Sequence, residues 1–464
     1  MSVFNEIKTL KGSGQLEEAW QHGFDALQQN QQNNFYLLTS LFWVVYAALK
    51  QKIDPIKQRN NPKPLPAEQH WIDSWVDRIP KLNLALPNEN IDYRLWNLFT
   101  HKEIGKFCTP LCRYILNSGH ALFHPQDFIP YRTDKGESPS LVCKLARIVA
   151  ANYLQYKDTS SSHVGRVTGF LKYAIDNTQD STHKIWLVYD KARIFTASGQ
   201  MERAREAYLE VLEKKRSESW AWFGLANTYL NELHKASSFI AYGLTCAHDP
   251  KYAVPGLCQF ANLLAQQKNY ADASRSLLRL HNIYQKNGWS LKKEVAELMD
   301  SPWYDASLDE IALDTTIREL AASANQYIVQ RPVVYKGIVA AIHKSGKGAD
   351  IYISPKQIIP VFKRLFQTRE VFFPGTFVEL LCDSRSDEEV PVGVYKIAPF
   401  SSENICTFSG VLKIKEKGFG FVDNIFVPPF LIGAHANESE VAGMAVVKLD
   451  KAKNINGLAA IVLK

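Results

Sequence analysis

A change of period near Arg331–Pro332 limits what this chain can fold into. Before it, apolar residues recur at helical spacing, and a unit of about 34 residues repeats. After it come short β-rich runs, among them VVYKGIVAAIH, ADIYISP, GTFVELLC, CTFSGVLKI and MAVVKL, with glycine or charged turns between them. Helix pairs and short alternating strands cannot share one layer, so the reading is α plus all-β in separate domains. A helical solenoid is expected over 1–330. Two small β-barrels are expected over 331–399 and 404–464. The first part should be almost wholly helical and the second almost wholly strand and loop.

The repeat is clearest over 185–287. In SWAWFGLANTYLNELHKASSFIAYGLTCAHDP, Trp222, Leu225, Ala226 and Tyr229 fall on one face of a first helix. Tyr242 lies in a second helix and Pro250 closes the unit. Ala192, Phe195, Gly199, Ala204 and Tyr208 fall in matching places one unit earlier; Ala261, Leu264, Tyr270 and Ala273 do so one unit later. A fainter copy, with Gly14, Leu16, Ala19 and Ala26, opens the chain. These units resemble tetratricopeptide repeats. Stacked helix pairs of that kind bury a continuous core and leave a concave groove. The resemblance implies a protein or peptide partner in that groove. The run FYLLTSLFWVVYAAL, 35 to 49, is short of a membrane span and reads as a helix buried on nearly every side.

The composition is that of a globular chain, 46% hydrophobic and 22% charged, with a net charge of +7. That balance tolerates a polyanionic partner without requiring one. The N-terminus lacks a signal-peptide core, and the seven scattered cysteines read as reduced thiols of a cytoplasmic protein. Cys108 and Cys112 have no second pair to complete a zinc site. The histidines show no ligand spacing either, and His120 and His124 read as helix surface. No metal and no cofactor is expected. No P-loop, metalloprotease helix motif or nucleophile elbow is present, so no catalytic residue is assigned and the chain reads as a non-enzyme.

The chemistry points to the last barrel. In KGFGFVDNIFVPP, 417 to 429, strand alternation puts Phe419 and Phe421 on one face and Gly418, Gly420 and Val422 on the other. Phe426 shares a face with Pro428, opposite Ile425 and Val427. The aliphatic set suits a barrel core, which leaves three phenylalanines outside. Gly420 is expected to keep the space between the rings open for a base. Lys413, Lys415 and Lys417 stand beside the rings, where each could meet a phosphate. The alternative is that the rings are covered by the helical domain or the other barrel.

FSGVLKIKEKGFGFVDNIFVPP resembles the cold-shock family of oligonucleotide-binding barrels, with KGFGFV like the first ribonucleoprotein motif and IFVPP like the second. The form is similar to the cold-shock domains at the front of ribonucleases R and II. DIYISPKQI in the first barrel also resembles the RNA-binding barrel of the Rho termination factor. Aligned on the second motif, Tyr352 takes the place of Phe426, so Tyr352 joins the expected RNA-binding set. The copy departs from the family at its shorter lysine turn, at Ile414 where an aromatic is usual, and at Pro428 where a histidine is usual. These changes imply weaker or narrower binding. The resemblance implies single-stranded RNA as partner, with single-stranded DNA or a ribonucleoprotein as alternatives. It also implies an adaptor, the barrels holding RNA and the solenoid a protein. The competing reading is a protein–protein scaffold whose barrels no longer bind RNA. A looser resemblance, in architecture, is to bacterial conflict-system proteins that join tetratricopeptide repeats to S1/cold-shock-like domains.

Overall fold

The structure is a computed structural model. It describes residues 3–29, 35–82, 92–118, 123–134, 136–156, 160–179, 181–329, 332–366, 371–383, 390–433, 435–450 and 455–464. His120 and most of the acidic loop 383–389 lie outside the described residues. The chain forms two compact units, Met1–Arg216 and Ser217–Lys464. The division falls inside the repeat array rather than at the end of the helices.

The first unit holds helices α1 (Val3–Gly12), α2 (Leu16–Gln29), α3 (Phe35–Lys57), α4 (Pro66–Val76), α5 (Asp92–Phe99), α6 (Lys102–Gly105) and α7 (Thr109–Ser118). The hairpin β1 (Tyr131–Thr133) and β2 (Gly136–Ser138) follows, then α8 (Leu141–Tyr156), α9 (Ser161–Asn177), α10 (Ser181–Ala197) and α11 (Met201–Lys215). Helix α3 is buried along most of its length; Phe35 and Tyr36 in its first turn and Lys50, Gln51 and Pro55 further on are exposed. Among the described residues no helix is long and apolar enough to cross a membrane. The hairpin is the one departure from the all-helical expectation among the described residues of this unit. Gly136 at φ +110° turns the chain back, and the Thr133 hydroxyl donates to the Gly136 carbonyl at 2.8 Å.

The second unit begins with α12 (Ser219–Ala226), α13 (Leu233–Cys246), α14 (Pro250–Gln266), α15 (Tyr270–Lys286), α16 (Lys293–Met299) and α17 (Leu313–Ile328). Helix α12 stops at Ala226, so Tyr229 lies in the following turn and not on the helix. Trp222 is fully buried, with its ring 4.3 Å from that of Tyr242. Ala226 is buried, yet the closest approach is elsewhere. A Cβ on Gly243 or Gly256 would stand 2.6 Å or 2.3 Å from the Phe223 ring. Two glycines therefore make room for one phenylalanine between α12, α13 and α14.

Helix-to-helix turns share one geometry. Gly14, Gly199, Lys268 and Gly288 all have positive φ, between 63° and 80°. In each case the next residue donates its N–H to the carbonyl five positions back: Gln15 to Leu10, Gln200 to Phe195, Asn269 to Leu264, Trp289 to Tyr284. This satisfies the last carbonyls of the helix and sets the chain for the next one.

Two β-barrels complete the unit. The first contains β3 (Pro332–Ile342), β4 (Gly348–Ser354), β5 (Gln357–Phe362), β6 (Phe377–Asp383) and β7 (Val390–Lys396), in the order β5-β4-β3-β6-β7. A parallel bridge between Phe366 and Val394 brings the segment after β5 to β7. The second contains β8 (Ile405–Val411), β9 (Lys413–Ile414), β10 (Gly420–Val422), β11 (Ile425–Val427), the short helix α18 (Pro429–Ile432), β12 (Glu440–Asp450) and β13 (Ile455–Leu463). Its order is β8-β12-β13-β11-β10-β9, with β11 parallel to β13. Strands β8 and β9 are one strand interrupted at Leu412, so the sheet returns to where it began. This is the closed five-stranded barrel of the oligonucleotide-binding type. Helix α17 packs on the first barrel, where Gln326 donates to the Tyr395 hydroxyl at 3.1 Å.

Lys268 is the one non-glycine among the four turns, and a left-handed residue with a Cβ costs about 1–2 kcal/mol. Lys268→Gly should therefore stabilise the second unit by about 1 kcal/mol. A thermal melt should show an upward shift; an unchanged or lower midpoint would count against this account of the turns.

Candidate nucleic-acid interface

The site rests on the inner half of β10 and β11. Val422, Ile425 and Val427 point inward with Leu412, Ile432, Val441, Ala445 and Ala460. Burying that set fixes which face is outside, because side chains alternate along a strand. The register then aligns Lys413 with Phe421 and Phe421 with Phe426 across β9, β10 and β11.

Phe419, Phe421 and Phe426 form one cluster. Centroids lie 5.8 Å apart for Phe419–Phe421, 5.7 Å for Phe419–Phe426 and 5.8 Å for Phe421–Phe426, with two edge-on contacts and one tilted one. Phe426 is 37% exposed; Phe419 and Phe421 are partly exposed and covered in part by each other and by Phe426. Within the second unit, neither the helices nor the first barrel seals Phe426. Gly420 does not hold the rings apart, as the sequence had suggested. It faces inward, where a Cβ would meet Leu412 at 2.9 Å and the Lys413 carbonyl at 3.2 Å. The glycine is needed by the core beneath the rings.

The lysines ride on a tight turn. Gly418 at φ +79° donates to the Lys415 carbonyl at 2.8 Å, and Lys415 donates to the Phe419 carbonyl at 2.8 Å. Lys413, Lys415 and Lys417 are exposed, and none is in an ion pair among the described residues. Asn437 accepts from the Ile414 N–H at 2.7 Å, which ties the β12 approach to the same edge.

Tyr352 is not part of this surface. It is completely buried, packed with Ile338, Ala340, Val446 and Ile461 in a core between the two barrels. Its hydroxyl donates to the Val447 carbonyl at 2.5 Å. Alignment placed Tyr352 on the ligand face; the neighbouring barrel covers that position, so a base cannot reach the ring. Burial also pushes its phenol up to about 12. The exposed groups of the first barrel are different. Ile358 and Phe362 stand out from β5, and His343 pairs with Asp350 at 2.9 Å beside the exposed Lys344 and Lys347.

Among the exposed aromatics that the sequence reading did not single out, two stand on strand β5 and helix α18. Phe430 on α18 is 71% exposed, and Phe362 is 62% exposed. A phenylalanine directly after Pro428–Pro429, and one at the outward position of an alternating strand, were the available signals. Among the described residues no cluster of three or more metal-ligating side chains occurs.

Fold and site together define a chain of helical repeats joined to tandem oligonucleotide-binding-like barrels. Residues 406–463 match the model of S1/CSD-like domain 2 of the TOTE conflict systems. Residues 185–324 match the model of a domain of unknown function, DUF7017. Among solved structures, the one described as Naa15/Naa10 bound to HypK-THB is similar at 11% identity and a TM-score of 0.28, over 69% of this chain and 50% of that one. The chain thus spans half the length of that relative. No curated protein matches.

Tyr352→Ala should cost about 3–5 kcal/mol of stability, as for other large buried rings, while Tyr352→Phe should cost about 1 kcal/mol. Because the folded phenol titrates higher than a free one, the protonated form favours the fold. That contribution is intact below about pH 10 and is lost as pH rises towards 12. Denaturant titrations across this range should show an alkaline loss that is smaller in Tyr352→Phe.

Proposed function

We propose that the protein is a non-catalytic adaptor that holds single-stranded RNA on its second barrel and a protein partner on its helical repeats. The observation that carries this is the outward cluster of Phe419, Phe421 and Phe426, lined by three exposed lysines. Aromatic platforms stack bases with little sequence preference, and lysines beside them meet the backbone. The S1/CSD-like match over 406–463 and the resemblance to the cold-shock domains of ribonucleases R and II support nucleic acid as the ligand. A conflict system is the biological setting that the same match suggests. The first barrel has a different role, because its aligned ring is buried and its exposed stripe is apolar; a protein contact suits it better.

Phe426 gives the cleanest test because it is the most exposed ring. Phe426→Ala should weaken binding of a short single-stranded RNA by about 1–3 kcal/mol. Its melt should move little. Phe419→Ala and Phe421→Ala should lose similar affinity and also about 1 kcal/mol of stability, because each removes ring–ring contacts. RNA affinity unchanged from the unsubstituted protein in all three variants would reject the site.

Binding should weaken with salt through released counterions. With three lysines at the site, the logarithmic slope from this barrel should be about 2. Affinity measured at several salt concentrations checks it, and a flat response would exclude phosphate contact by Lys413, Lys415 and Lys417.

A further inference from the structure

Besides the barrels, whose residues 331–464 carry 17 lysines and arginines against 13 aspartates and glutamates, one helical segment is basic. Residues 102–193 carry 13 lysines and arginines against eight aspartates and glutamates, a net of +5 out of +7. Residues 217–330, the helical part of the second unit, carry nine against twelve, a net of −3. The excess is therefore not spread evenly over the helical surface.

The structure gathers part of that excess on one face. On α10, Trp186, Asp190 and Arg193 are three and four apart and face Lys144 and Arg147 on α8. Asp190 is buried and accepts from Arg147 Nε at 3.0 Å and from Arg193 Nη1 at 3.4 Å. One buried carboxylate thus fixes two guanidinium groups, whose side chains remain 37% and 40% exposed. Arg147 also lies over the Trp186 ring, 5.4 Å from its centroid. Lys144 donates to the Tyr131 hydroxyl of the hairpin and sits 4.5 Å from that ring. Lys102 is exposed on α6, which packs against α8, and its charge is felt at Asp190. The carboxylates among these groups are Asp190, Glu137 on the hairpin and, next to Lys102 on α6, Glu103, which pairs with Lys106.

We propose that this stripe on the first unit is a second contact site for single-stranded polynucleotide, gripping phosphates through Arg147, Arg193, Lys102 and Lys144. With the Lys106–Glu103 pair included, five cations against three carboxylates leave an excess that a polyanion neutralises. Arg147, Arg193 and Lys144 are held in place before binding, so little of their side-chain freedom is lost. Tyr131 and Trp186 line the stripe, and aromatic rings interleaved with cations suit nucleic acid better than an acidic peptide. The choice of polynucleotide rests on the reading of the second barrel; the geometry of the stripe does not.

The test uses the full chain and a labelled 12-nucleotide oligouridylate. Lys102→Gln with Lys144→Gln removes two cations and leaves both partners of Asp190 in place. In a Phe426→Ala background this pair should lower the remaining affinity about tenfold at low salt and reduce the salt slope by about 1.4, at an unchanged melting temperature. Unchanged affinity and slope, or no remaining binding in the Phe426→Ala protein before the lysines are touched, would overturn the proposal. A polyglutamate of equal charge that displaces the oligonucleotide from the stripe, and binds more tightly, would make it a protein site and overturn it as well. Full binding in Phe426→Ala that disappears with the lysine pair would support the stripe and reject the barrel instead.

Discussion

Leu412 interrupts the first strand of the second barrel and is completely buried. On one side of it Ile405–Val411 pairs with β12; on the other Lys413–Ile414 pairs with β10. A single strand therefore serves both ends of the sheet, and the barrel has no free edge there. Everything on the outer face follows from that closure. Lys413 is carried next to Phe421, the lysine turn is pulled over β10, and Gly420 must lie flat against Leu412. The rings stand outside because the inside is full.

Alternation placed Phe421 and Phe426 opposite Val422, Ile425 and Val427, since the period of a strand is two and the inward set is aliphatic; Gly418, expected on the inward face, lies instead in the exposed turn before β10. The helical repeats were legible for a similar reason: apolar spacing repeats with the unit. Tyr352 was not legible. Its position in the strand was right, but what covers it comes from Val446 and Ile461, about a hundred residues later in the chain. Local alignment contains no information about a neighbouring barrel. Gly243 and Gly256 were equally silent, because their role is defined by where Phe223 falls in three dimensions. Lys268 hides its left-handed backbone behind a residue that gives no hint of it.

Charge gives the same lesson at larger scale. A net of +7 over 464 residues reads as mild. It is an average over a basic segment, an acidic one and two weakly basic barrels. Only the pairing of α8 with α10 shows that Lys144 and Arg147 join Arg193 on one surface, held by a buried Asp190. Separation in sequence had hidden a local field that acts over about 8–10 Å at ordinary ionic strength.

Under the proposed function, the three phenylalanines would set a limit on how tightly the second barrel holds RNA. In the free protein they already touch, and such pairs are worth about 0.5–1.5 kcal/mol each. A base that stacks for about 1–3 kcal/mol gains most where it finds an uncovered face and leaves the ring pairs intact. Phe426 offers the most uncovered surface; Phe419 and Phe421 offer less. A base inserted between them would have to open contacts that the free protein keeps closed. The departures from the cold-shock pattern act in the same direction, because Ile414 and Pro428 supply neither a further ring nor a hydrogen-bonding imidazole. A face of this kind favours brief, sequence-tolerant contact with an unpaired strand. Holding a particular RNA for long would need contacts beyond these rings.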